Sequence, residues 1–127
     1  MNPIQRVAFE SEITQAKSAV ARGELAAGFS HLERAHVIGQ ADVRAHVRSH
    51  WLMLAVEFRR RRPVAIIGQA SRLVLGMLGS AVGIVPIGNT GGTDISMFKR
   101  MTIVPDLQNI IDGRAPGADR PRASPEH

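Results

Sequence analysis

Apolar residues recur at every third or fourth position from the N-terminus to Ala81, the spacing of helices with one buried face. Phe9, Ile13, Ala16 and Val20 form a first stripe, with Glu10, Glu12, Gln15 and Lys17 free to face outward. Asn2-Pro3 opens this helix, because Asn is a favoured N-cap and Pro suits the first helical position, and Gly23 ends it. A second stripe, Leu25, Phe29, Leu32 and His36, closes at Gly39-Gln40, where glycine tolerates the backbone angles of a helix end. The third helix is expected from about Ala41 to Arg60, with Val43, Val47, His50, Leu54 and Phe58 inward. Arg62-Pro63 breaks it and starts a fourth, roughly Val64 to Ala81. That helix carries Ile66, Ile67, Leu73, Val74, Leu75, Met77 and Leu78 on more than one side, so it is expected to be the central, most buried one.

From Gly83 to Asp94 the helical period gives way to a Gly-rich stretch with β-branched residues, which reads as an ordered loop. Ser96 to Arg100 suits a helical turn, and Pro105 to Ile111 a short terminal helix with Leu107, Ile110 and Ile111 inward. The pattern predicts an all-α fold of four main antiparallel helices, arranged as two hairpins, then the Gly-rich loop and the short C-terminal helix. Residues 1–112 are expected to form a single domain, and residues 113–127, which lack any apolar period, a disordered tail. A weak repeat supports the hairpins: Leu25 to Phe29 returns as Leu54 to Phe58, and Val37 to Ala41 as Ile66 to Ala70, both at one offset.

Composition agrees with helix packing. The 127 residues are 44% hydrophobic but only 4% aromatic, with no Tyr, so Ala, Val, Leu and Ile supply the core mass. Cys is absent, which removes disulfides, thiolate metal sites and cysteine nucleophiles and suits a reducing, cytoplasmic setting. Neither a signal peptide nor a membrane span is expected, since the run Leu73 to Gly88 is short and interrupted by Pro86. The formal charge of +5 owes much to Arg59-Arg60-Arg61-Arg62. This run fits a solvated helix end that complements the C-terminal dipole. Without stacking aromatics or a basic stripe beside it, nucleic-acid binding is not expected.

Four of the five histidines fall within residues 31–53. At about 100° per residue, His36 lies in the apolar stripe of the second helix with Glu33 one turn earlier, and His50 in that of the third with His46 at its edge. A Glu-x-x-His pair and a His-x-x-x-His pair are thereby expected on facing surfaces of one hairpin, a constellation that helical bundles use to hold iron, manganese, zinc or copper. Glu33, His36, His46 and His50 are the candidate ligands of such a metal-handling or redox site. The competing expectation is a buried polar network, with Ser30 among its members, inside a helical-hairpin module that binds a protein partner or a second copy of itself. His31 lies off the stripe and is expected to be exposed. Met53 and Met77 are expected as core fillers, and Trp51 as a shield for the site or an anchor for the fourth helix. The segment Gly88 to Asp94 lacks the Gly-Lys-Ser/Thr ending of a phosphate loop and is expected to pack over the hairpin ends. No hydrolase triad or other catalytic motif is present, and no reaction is named by the residues.

The phrases His31-Leu32-Glu33-Arg34-Ala35-His36-Val37-Ile38-Gly39-Gln40, His46-Val47-Arg48-Ser49-His50-Trp51-Leu52-Met53 and Gly88-Asn89-Thr90-Gly91-Gly92 together resemble a small bacterial family known as a domain of unknown function. The resemblance runs over about residues 5 to 112 and implies a bacterial, cytoplasmic protein, but no activity. Gly23-Glu24-Leu25-Ala26 running into His31-Leu32-Glu33-Arg34-Ala35 is similar, more weakly, to tetratricopeptide helical hairpins, whose repeat is longer.

Overall fold

Asn2 starts the first helix by a reciprocal cap: its Oδ1 accepts from the Gln5 backbone N–H at 2.8 Å, and Gln5 Oε1 accepts from the Asn2 N–H at 2.9 Å. In the computed structural model, which describes residues 1–81, 91–92 and 101–114 with the side chains of 76–81 excepted, helix α1 therefore spans Pro3–Ala21. It is followed by α2 (Leu25–Gly39), α3 (Val43–Arg60), α4 (Pro63–Ala81) and α5 (Pro105–Ile111), with no strand among the described residues. The fold is all-α, as the periodicity predicts. Outside the described residues lie the expected loop Gly83–Asp94 apart from Gly91 and Gly92, the turn Ser96–Arg100, the tail beyond Arg114, and the Met77 side chain.

Helix α3 begins at Val43 rather than Ala41 because Asp42 is its cap, accepting from the N–H groups of Arg44 and Ala45 at 3.1 Å each. These bonds hold the Asp42 carboxyl below its ordinary range. Arg61, in the left-handed region at φ 55°, ends α3 and allows Pro63 to open α4.

The core joins Phe9, Ile13 and Ala16 of α1, Phe29, Leu32, Ala35 and Ile38 of α2, Ala45, Met53 and Val56 of α3, and Leu107 and Ile110 of α5. Burying side chains the size of Phe9, Ile13, Leu32 and Ile38 stabilises by roughly 1.5–3 kcal/mol each. Gly39 permits a close approach of α2, α3 and α1, since a Cβ there would stand 2.7 Å from Ala45 Cβ and 3.0 Å from the Phe9 ring. The start of α1 and the end of α5 meet as well: Asn2 Nδ2 donates to the Ile111 carbonyl at 3.1 Å.

Two expectations about helix faces are corrected. Among the described residues α2, not α4, is the central helix, packed against α1, α3 and α5, whereas α4 packs on α3. Of the described α4 side chains only Ala65, Gln69 and Arg72 are buried, and Val64 and Ile67 are 83% and 67% exposed. High overall hydrophobicity does not say which face finds a neighbour, and α4 comes last in a row of short connections. On α3 the buried arc runs through Ala45, His46, Ser49, His50, Met53, Val56 and Glu57, leaving Val43 and Phe58 exposed. The arc turned toward small and polar residues because Ala45 must fit beneath Gly39 and the polar groups pair inside. The repeat follows sequence rather than environment, for Phe29 is buried while its counterpart Phe58 is not.

Candidate metal centre

Two of the three central histidines are one helical turn apart on α3, and the third arrives from α2 across the short turn at 40–42. All are deeply buried: His36, His46 and His50 are 2%, 4% and 3% exposed. Their ring centroids stand 4.6 Å (His36–His46), 4.7 Å (His36–His50) and 4.9 Å (His46–His50) apart. One nitrogen from each lies within 4.8 Å of those of the other two. Imidazole nitrogens about 2.0–2.1 Å from a tetrahedral ion stand about 3.4 Å from one another. The cluster is thus within ring-rotation distance of closing on one ion.

The surroundings select the tautomers. Gln69 donates through Nε2 to the Gly91 carbonyl at 2.9 Å and toward Met53 Sδ at 3.6 Å, and both partners only accept. Its Oε1 is therefore the atom 3.0 Å from His50 Nδ1, so Nδ1 carries the proton and the lone pair is on Nε2. His46 Nδ1 lies 3.4 Å from the Gln40 carbonyl, a longer contact that imposes the same tautomer. Ligating histidines are commonly oriented in this way, by an acceptor behind the far nitrogen.

Electrostatics keeps these rings neutral. Burial pushes His50 down to about 4 against the raising effect of its bond to Gln69, with His46 and Arg72 adding to the depression. His46 is lowered too, by burial, with the Gln40 carbonyl opposing. At neutral pH both therefore offer a basic nitrogen in a poorly solvated space.

Of the four expected ligands the structure brings together His36, His46 and His50; Glu33 is half-buried and outside the convergent set. His46 is fully inside rather than at the edge. Trp51, 62% exposed, neither shields the cluster nor anchors α4. His31 is not simply exposed: its Nδ1 is 2.7 Å from Glu12 Oε2, while Arg34 Nε donates to Glu12 Oε1 at 2.7 Å, tying α1 to α2. The arginine run is also put to use, since Arg59 donates to the Val20 carbonyl, and Arg60 to the Leu25 carbonyl and to Glu57.

Sequence reasoning missed Gln69 and Arg72, and placed Gly91 only as part of the segment expected to pack over the hairpin ends. The signal for the first two was available: they are polar residues three apart in the most apolar helix, on the one face that turns inward. Gly91, at φ +77°, meets the expectation for that segment: a Cβ there would stand 3.1–3.2 Å from three atoms of the His36 ring. Its backbone closes against the cluster where a side chain could not.

The family described as Protein of unknown function (DUF3703) matches residues 4–111. No curated protein and no solved structure matches the chain.

Proposed function

Because the chain belongs to the DUF3703 family, whose description assigns no function, we propose from its own geometry that it is a small helical transition-metal-binding protein. His36, His46 and His50 are the ligands, and metal handling or redox chemistry is the purpose. The observation that carries this reading is the convergence of three buried imidazoles, two of which have their Nδ1 protons engaged by outer acceptors. A stability-driven core has little use for three neighbouring buried histidines. Iron, zinc, copper and manganese fit the notion of a bundle site; calcium and magnesium, which take oxygen donors, do not.

The test is elemental analysis after anaerobic reconstitution of the wild-type protein and of His36→Ala and His50→Ala. One ion per chain in the wild type, lost in both variants, is expected; equal metal content in all three would overturn the reading.

A second reading has one observation in its favour. Val64, Ile67, Val74 and Leu75 share an exposed face of α4, which suits a helical-hairpin interaction module with the histidines as core network. That module would hold its partner or second copy after chelation, and light scattering before and after EDTA separates the two.

A further inference from the structure

The chemistry of the three-histidine cluster says more about the ion than that it is a transition metal, and the step below rests on the metal-binding reading. The donors that converge are all imidazole. Among the described residues no carboxylate oxygen joins the set, and the chain contains no Cys to supply thiolate. Among the described residues, three neutral ligands leave the full charge of the ion uncompensated. The rings are buried, so that charge would sit in a poorly polarisable interior. The cost of placing an ion there rises with the square of its charge, about fourfold from a monovalent to a divalent ion.

Coordination number separates the candidates, since zinc on three histidines takes a water as its fourth ligand, whereas a closed-shell monovalent ion is satisfied by three nitrogens. A soft donor also belongs to the same network: Met53, 0% exposed, has its thioether 3.6 Å from the Gln69 amide that holds His50. Thioether and imidazole together suit Cu(I).

We infer that the His36–His46–His50 cluster is selective for a soft monovalent ion, Cu(I), over the divalent ions of the same series. Gln69 acts as a positioning residue that holds the His50 tautomer, and Glu33 takes no part in the coordination.

The experiment is an anaerobic titration of the full chain, freed of metal, with Cu(I) against a chromophoric Cu(I) chelator, alongside Zn(II), Co(II) and Ni(II) added singly and in competition. X-ray absorption of the copper-loaded form reads the donor set. The expected result is one Cu(I) per chain, bound through nitrogen donors and not displaced by equimolar Zn(II), with Glu33→Gln unchanged and His36→Ala reduced at least about tenfold, the lower end for a disturbed metal site. Zn(II) or Co(II) bound more tightly than Cu(I), but still lost in His36→Ala, would overturn the selectivity and leave the metal-binding reading standing. A loss of Cu(I) in Glu33→Gln would overturn the all-imidazole assignment. Failure of every ion to bind would overturn both.

Discussion

Acidification should destabilise the metal-free protein before most of its carboxylates are protonated, and His50 sets the size of the effect. Buried in the core, its imidazole takes up a proton only near pH 4, whereas the ordinary value is 6.5. Between those two values the unfolded chain binds more protons than the folded one, so stability rises with pH across that window. The contribution is fully present above about pH 6.5 and is lost progressively as pH falls toward 4. At about 1.4 kcal/mol for each unit of pKa, the gap is worth about 3 kcal/mol in all and about 2 kcal/mol by pH 5. His46, lowered by burial in the same direction, adds to the loss. Asp42, whose carboxyl is held below 3.8, contributes only at more acidic pH, so the window belongs to the histidines. Urea titration of EDTA-treated protein, followed by circular dichroism at pH 7.5 and pH 5, reads the difference. With a urea dependence of roughly 1–3 kcal/mol per molar, the midpoint should fall by about 1 M. An unchanged midpoint would refute the claim that these rings are buried and neutral, and with it the availability of their lone pairs.

Other outcomes follow from single contacts. Gln69→Leu should weaken metal binding by roughly 10–100-fold and cost about 1–3 kcal/mol, because it strands the His50 Nδ1–H and the Gly91 carbonyl without their partner; metal titration and thermal melting measure the two effects. Gly39→Ala would push a methyl to 2.7 Å from Ala45 Cβ; the strain of about 1–3 kcal/mol should exceed the helix-propensity gain, and a raised melting temperature would contradict this. Arg60→Ala removes the partner of Glu57, a carboxylate with 0% exposed surface, along with a guanidinium 4.6 Å above the Phe29 ring. The loss should approach about 3 kcal/mol, and Glu57→Met combined with Arg60→Ala should recover part of it in a double-mutant comparison.

Much of the architecture was written in the spacing of apolar residues, because a helix boundary is a local matter. Asn2-Pro3, Gly23, Gly39-Gln40 and Arg62-Pro63 each act through caps and backbone angles within a few residues, and the observed helices start and stop within one or two positions of the places these residues indicate. The pairing of His36 with His50 was legible for the same reason: a three-residue turn makes consecutive helices antiparallel neighbours, and phase then decides what faces across.

What the sequence by itself determined is the all-α class, the order of helices and the facing of His36 toward α3, all consequences of period and short-range chain geometry. Only the tertiary structure decided the rotation of α3, which took His46 inside and put Trp51 and Phe58 outside, and the demotion of α4 from central helix to outer helix. Those outcomes depend on which surfaces meet, and a hydrophobic residue is equally ready to be buried by any neighbour. The role of Gln69 belongs here too. Its amide links His50, Met53 and Gly91, residues 19, 16 and 22 positions away, and a bond over that distance in the chain exists only once the helices have packed.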